Sequence, residues 1–228
     1  MSQVLLVDGP RGDDRAGVAW LTLNRPDKRN ALSIELRDAI ADALDALAAD
    51  DTVKCVVITG AGTTFSAGFD LREFENADPD FQTRLWASSD RYHHTVLTFP
   101  LPTIAAVNGP ALAGGFDLAV LCDVRIAAPT ARFAHPEREF GDVVYAPLHD
   151  LVGGAVAREL CLTGRAMEAD EALRVRLVSQ VVPTDSLHAA ARALAEQTAT
   201  APRDVLVRTK AKALRRAGVD PATGTLDL

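Results

Sequence analysis

The chain has 228 residues, a net charge of -7 and a pI near 5.2, with 48% hydrophobic and 24% charged residues. This composition suits a single hydrophobic core near the upper size for one domain, and it excludes extended disorder or a general attraction to nucleic-acid phosphates. The three cysteines, Cys55, Cys122 and Cys161, are widely spaced among apolar neighbours and read as reduced core residues of a cytoplasmic protein, with no disulfide or metal set expected. No basic leader or apolar export segment opens the sequence, and no membrane span is expected, because the apolar runs are short and interrupted at Asn108, Asp117 and Asp123.

In chain order, Val4–Val7 and Val18–Leu23 are β-prone runs around a turn-rich Asp8–Asp13, the pattern of a hairpin. From Leu32 to Ala49, apolar residues recur at Leu36, Ile40, Leu44 and Leu47 with Ser33 placed to cap, which predicts an amphipathic helix. Val53–Thr59 is almost wholly branched and apolar, as a strand covered on both faces would be. A helix over Phe81–Leu97 ends ahead of Pro100 and Pro102, and a buried strand follows at Thr103–Val107. Phe116–Cys122 reads as a short helix, Val124–Ala127 as a strand, Gly153–Leu162 and Glu168–Arg174 as helices, and Val178–Val182 as a strand. The helices Leu187–Ala199 and Pro202–Arg216 follow, and the tail from Gly218 is expected to be turn-like and mobile. Alternating strands and helices point to an α/β layered architecture.

Twice a buried strand runs into glycines and then a helix: Val56–Thr59 before Ala67-Gly68-Phe69-Asp70, and Ile104–Val107 before Ala113-Gly114-Gly115-Phe116-Asp117. Glycine lets the backbone approach a ligand, and a helix start leaves N–H groups free to donate. Two such amides aimed at one point would form an oxyanion hole. Either cluster by itself reads equally well as a tight turn.

The ordered set of segments resembles the crotonase superfamily, the enoyl-CoA hydratase/isomerase family. The residues that carry the likeness are Asn24-Arg25-Pro26-Asp27-Lys28-Arg29-Asn30-Ala31-Leu32, Phe65-Ser66-Ala67-Gly68-Phe69-Asp70-Leu71, and Ala105 through Leu118 with its Asn-Gly-Pro and Gly-Gly. The likeness continues through Cys122–Ala127, Phe133-Ala134-His135-Pro136-Glu137, Leu160–Gly164 and Leu177–Pro183, spanning roughly nine tenths of the chain. It implies a crotonase-like (ClpP/crotonase) α/β fold of repeated ββα units in a spiral core over residues 1–200. Residues 201–228 would then be a shortened C-terminal helix and tail, since family members commonly carry a further helix pair.

The resemblance further implies an acyl-CoA thioester as substrate, with no cofactor besides its CoA and no metal. The backbone N–H groups of Phe69 and Gly114 would form the oxyanion hole. Arg25, Lys28, Ala31, Ala67, Asp70 and Leu71 would contact CoA. The two acid/base positions fall on Asp117 and Glu137, 20 residues apart as in a hydratase. Hydratases usually carry glutamate at both; aspartate at the first is common in dienoyl-CoA isomerases, but the third carboxylate of those enzymes falls on Tyr145 here. Asp117 also reads as a residue hydrogen-bonded within the Gly-Gly turn, and Glu137 as a surface carboxylate. His135, beside Glu137, reads as orienting it or as packing.

Two departures from the family pattern stand out. The glycine-rich stretch usual after the second carboxylate is replaced by Glu139–Leu151, in which Asp142, Tyr145 and His149 are candidate acyl-pocket groups, His149 reading equally as a surface residue. At the end of the chain, Lys210, Lys212, Arg215 and Arg216 form a basic face that reads as a CoA-phosphate contact or as simply solvated. A homotrimer or hexamer is the family habit, with no nucleic-acid or membrane partner. The expected activity is hydration of a 2-trans-enoyl-CoA to 3-hydroxyacyl-CoA; enoyl-CoA double-bond isomerisation and acyl-CoA binding without turnover are the alternatives.

Overall fold

The structure, a computed structural model, describes residues 3–10, 17–139 and 141–217. Its strands are β1 (Leu5–Asp8), β2 (Val18–Leu23), β3 (Cys55–Gly60), β4 (Thr103–Val107), β5 (Ala111–Leu112), β6 (Val124–Ala127), β7 (Arg132–Ala134), β8 (Met167–Glu168) and β9 (Gln180–Val181). The helices are α1 (Ile34–Ala49), α2 (Leu71–Phe74), α3 (Pro79–Thr98), α4 (Gly114–Leu121), α5 (Ala146–Thr163), α6 (Ala169–Arg174), α7 (Leu187–Thr198) and α8 (Arg203–Ala217).

A six-stranded sheet runs β1-β2-β3-β4-β6-β9, antiparallel between β1 and β2 and parallel thereafter. The hairpin read from the sequence is present, with Leu5 opposite Leu23, although its turn at residues 11–16 lies outside the described residues, as does the tail expected to be mobile from Gly218. Branched, apolar β3 splits its side chains by the period of two: Val56 and Ile58 enter the larger core cluster, while Cys55 and Val57 enter the smaller one. The larger cluster takes in Leu36, Ile40 and Leu44 of α1, and the smaller takes in Leu187, Ala191 and Ala195 of α7. Helices therefore cover both faces, as parallel sheets require. The three cysteines are buried and free.

A second, three-stranded sheet, β5-β7-β8, stands apart from the first. Its strands of two or three residues carry no readable alternation, which is why the sequence did not reveal them. This sheet builds the site, because β5 and β7 are parallel and pair Ala111 with Phe133 and Leu112 with Ala134. Chain leaving β5 enters α4, chain leaving β7 enters His135-Pro136-Glu137, and the two exits lie side by side.

Two sequence expectations are corrected here. The helix expected from Gly153 begins at Ala146, and Gly153 is instead a kink within it at φ 76°, a conformation open to glycine. Lys210 does not face a phosphate: it is buried, and its ammonium donates to the Leu101 carbonyl at 2.9 Å and pairs with Asp123 at 2.8 Å. Asp123 also accepts from the Thr103 amide at 2.7 Å, so this lysine clamps α8 to the start of β4.

Candidate active site

The first glycine bend hangs from β3. Asn30, wholly buried at φ 54°, donates through Nδ2 to the carbonyls of Ala61 and Thr64 at 2.9 and 2.7 Å and accepts from the Arg25 amide at 2.9 Å. Ser66 Oγ donates to the Asn30 carbonyl at 2.9 Å, tying the Arg25–Ala31 loop to the bend. Gly68 adopts φ 87°, which turns the chain so that its carbonyl accepts from the Leu32 amide at 2.8 Å. The Phe69 ring lies 4.5 Å from the guanidinium carbon of fully buried Arg37, which also donates to the Leu32 carbonyl at 2.8 Å. The Phe69 N–H is left with no acceptor among the described residues.

The second bend links β5 to α4. Ala113 sits at φ 50° and ψ -133°, a conformation that costs a non-glycine residue about 1–3 kcal/mol and needs the surroundings to hold it. Its amide does so in part, donating to the Ala134 carbonyl of β7 at 2.9 Å. Gly114 is the first residue of α4, so its N–H has no partner within the helix, and none is present elsewhere among the described residues. The two bends touch: a Cβ on Gly68 would lie 2.6 Å from the Ala113 Cβ and 3.2 Å from the Gly114 nitrogen, and one on Gly114 would lie 2.9 Å from the Phe69 ring. Both glycines are needed for this approach, and it brings two unpaired amides to one place.

Three ionisable groups face the same point. Asp117, in the first turn of α4, and Glu137, in the short 3-10 turn after β7, flank His135, which is wholly buried. His135 Nδ1 is 2.9 Å from Glu137 Oε1 and 3.8 Å from Asp117 Oδ1. Burial pushes Asp117 up to about 7; the charge of His135 opposes that shift and the charge of Glu137 adds to it. Burial alone would lower His135, but its hydrogen bond to Glu137 and the charges of Asp117 and Glu137 outweigh burial and raise it. One atom from each of the three lies within 4.8 Å of the others, the only such His, Cys and carboxylate cluster among the described residues. A cation would fit that spacing, though the short contact within it is already a hydrogen bond. Asp117 and Glu137 both line a cavity of about 700 Å³, as do Gly114 and Phe69.

A family model for enoyl-CoA hydratase/isomerase matches residues 13–225. The chain belongs to the enoyl-CoA hydratase/isomerase family. The 2,3-dehydroadipyl-CoA hydratase of Escherichia coli is 40% identical over 177 residues, covering 74% of this chain and 67% of that protein. Among solved structures, an enoyl-CoA hydratase from Bacillus anthracis superposes with a TM-score of 0.87 at 31% identity, covering 96% of this chain and 85% of the other. An enoyl-CoA hydratase/isomerase from Xanthobacter autotrophicus gives 0.84 at 37% identity, covering 94% and 79%. The fold is thus the crotonase fold implied by the sequence motifs.

In this member of the enoyl-CoA hydratase/isomerase family, the large cavity adjoins a second cleft of about 390 Å³, the two sharing Ala67, Phe69 and Leu71. Lys28, Ala31 and Asp70 line the second cleft as well, so five of the six residues matched to CoA contacts face it. Arg25 does not. Its guanidinium is spent inside the protein, on Asp70 at 2.9 Å and on the Ala31 carbonyl. Arg72 hydrogen-bonds Asp70 from the outside, and with Arg25 it holds that carboxyl down to about 2. Asp70 is therefore an anionic anchor for two arginines. Arg29 and Arg72 both line the cleft and were not singled out from the sequence.

Of the three candidate acyl-pocket groups, Asp142 lines the large cavity, beside Gly141, Val143 and Val144. Tyr145 and His149 do not line it: they face each other, ring centroids 5.6 Å apart, and half-exposed His149 pairs with Asp150 at 3.4 Å. The far wall is aromatic. Phe74 stacks on Phe69 at 6.1 Å and meets Trp86 edge-on at 5.9 Å, with the His93 ring 5.9 Å from Phe69. Sequence reasoning missed this wall, because α2 has only four residues and Trp86 sits among polar neighbours on α3.

Proposed function

We propose that the protein adds water across the 2-trans double bond of enoyl-CoA thioesters, giving 3-hydroxyacyl-CoA. The observation that carries this reading is the meeting of two acceptor-less amides, Phe69 and Gly114, at a cavity that also holds Asp117 and Glu137. The thioester carbonyl oxygen accepts both N–H groups. As a nucleophile adds at C3, electron density moves through C2 onto that oxygen, where the amides and the positive end of α4 stabilise it.

Asp117, as carboxylate, takes one proton from the water whose oxygen bonds to C3. Glu137, as the acid, gives its proton to C2 when the enolate collapses. One water is added overall, and moving a proton from Asp117 to Glu137 resets the pair. Lys28, Arg29 and Arg72 supply positive charge for the CoA phosphates in the second cleft, and the wall of Phe74, Trp86 and His93 receives the acyl group. No cofactor enters beyond the CoA of the substrate. The reading includes a cytoplasmic trimer or hexamer, in which the exposed Leu162, at 72%, gains cover. The acidic charge disfavours a nucleic-acid partner, and no helix among the described residues is long and apolar enough to cross a membrane.

The direct test is crotonyl-CoA hydration, followed as loss of the conjugated thioester absorbance and appearance of 3-hydroxybutyryl-CoA. Turnover is expected; tight acyl-CoA binding in calorimetry with no turnover of any enoyl thioester in a broad panel would instead mean a binding protein. The oxyanion geometry has its own check in Gly68→Ala. At φ 87° the new Cβ is strained and presses on Ala113 Cβ at 2.6 Å and the Leu112 carbonyl at 2.8 Å, which parts the two bends. We expect kcat for hydration to fall on the order of 100-fold, the loss seen when one oxyanion donor is withdrawn. Unchanged kcat in the folded variant would place the carbonyl elsewhere.

A further inference from the structure

We propose that His135 is a positioning residue for Glu137: its Nδ1–H grips Oε1 and fixes the carboxyl group, leaving Oε2 as the oxygen that carries the transferable proton. The inference rests on the hydration reading for its kinetic consequence, while the grip itself is a matter of geometry. His135 Nδ1 lies 2.9 Å from Glu137 Oε1, and neither Glu137 Oε2 nor His135 Nε2 has a protein partner among the described residues. A buried imidazole with one nitrogen engaged and the other unpartnered is held by that one bond. Both the neutral Nδ1–H tautomer and the imidazolium donate from Nδ1, so the grip survives either protonation state.

The consequence for Glu137 follows from carboxyl chemistry. An oxygen that accepts a hydrogen bond from an imidazole is the poor place for the acidic proton. When Glu137 acts as the acid, its proton therefore sits on Oε2, the oxygen that His135 leaves free, and is delivered from there to C2. The backbone reinforces the aim. His135 directly follows β7, whose register with β5 places it beside the Ala113-Gly114 bend, and its ring packs on Phe116 of α4 at 4.7 Å. The imidazole thus links the oxyanion bend, through α4, to the proton donor. Asp117 Oδ1, at 3.8 Å, is beyond a hydrogen bond from His135 Nδ1 and has no partner among the described residues.

Two substitutions separate positioning from packing. In His135→Asn the side-chain amide nitrogen falls near the place of Nδ1 and keeps a donor for Glu137; His135→Leu keeps bulk and removes the donor. We expect His135→Asn to hold kcat for crotonyl-CoA hydration within about 5-fold of wild type. His135→Leu should lose about 100-fold in kcat with KM within about 3-fold, the cost of a reacting group misplaced by roughly 1 Å. Equal kcat losses in the two variants would reduce His135 to packing and overturn the proposal.

A measurement on the unsubstituted protein needs no turnover and no variant that folds. Nitrogen-15 NMR of labelled histidine, with the His135 ring told from the other buried ring, His93, by its contact with Phe116, should show His135 protonated at Nδ1, its N–H shielded from solvent. A ring protonated only at Nε2 would overturn the grip. Failure of the wild type to hydrate any enoyl thioester, with the Nδ1–H found, would count against the hydratase reading and leave the grip standing.

Discussion

Glu137→Gln is expected to lower kcat for enoyl-CoA hydration by about 1,000-fold while leaving KM within a few-fold, within the range typical of a lost general acid. Glutamine is nearly isosteric, and its carbonyl oxygen can still accept from His135 Nδ1, so the 2.9 Å contact and the cavity shape persist. What disappears is the transferable proton. Because the Phe69 and Gly114 amides and the second cleft are untouched, ground-state binding is expected to be retained and the loss to fall on kcat. Stopped assays of hydration by the purified variant, with product identified chromatographically, decide the matter. Equal rates for variant and wild type would take Glu137 out of the chemistry.

The fold was legible wherever a period or a turn signal ran long enough. The β2, α1, β3 unit showed itself because Leu36, Ile40 and Leu44 keep a helical spacing between two runs of branched residues, and Ser33 does cap α1, accepting from the Leu36 amide. The two glycine bends were legible for a physical reason: Gly68 and Gly114 tolerate no Cβ where they meet, and sequence shows such a demand directly. Short elements gave no such signal. The two- and three-residue strands β5 and β7 fix which residues face each other, yet no periodicity can show in so few positions.

The same limit explains the residues whose roles were misjudged. Arg25 and Lys210 read as free positive charges near a CoA site, but charge in a sequence does not say whether an internal partner has claimed it. Asp70 and the Ala31 carbonyl have claimed one; Asp123 and the Leu101 carbonyl have claimed the other. Conversely, Arg29 reaches the cleft from a position that no pattern singled out, while Arg72 lines it with its guanidinium shared with Asp70. The binding of a charged substrate is set by the cations left over after folding, and that remainder belongs to tertiary structure.

Asp117→Asn is expected to do two opposite things: abolish most hydration and raise stability above neutral pH. The activity loss follows from removing the acceptor for the water's proton, about 100- to 1,000-fold in kcat. An isomerase using Glu137 alone would instead keep migration of a Δ3 double bond to Δ2, so the same variant assayed on a 3-enoyl-CoA separates the two reactions. The stability gain follows from linkage. Burial raises Asp117 from an ordinary 3.8 to about 7 in the folded chain, so folding favours the protonated form. Below about pH 4 the group is neutral in both states and contributes no penalty. As pH climbs from about 4 to about 7, the unfolded chain gives up this proton while the folded chain keeps it, and stability falls by an amount that approaches ~4 kcal/mol for a shift of about three units, levelling off above about pH 7. Asparagine cannot ionise and escapes that penalty, while the loss of Asp117 as a partner for His135 offsets part of the gain. At pH 8.5 the variant should therefore melt on the order of 5 °C higher than wild type, at matched protein concentration, and the difference should shrink toward zero near pH 4. A melting temperature that is lower at pH 8.5, or equally raised at both pH values, would show that the buried carboxylate is not what the wild type gives up stability to keep.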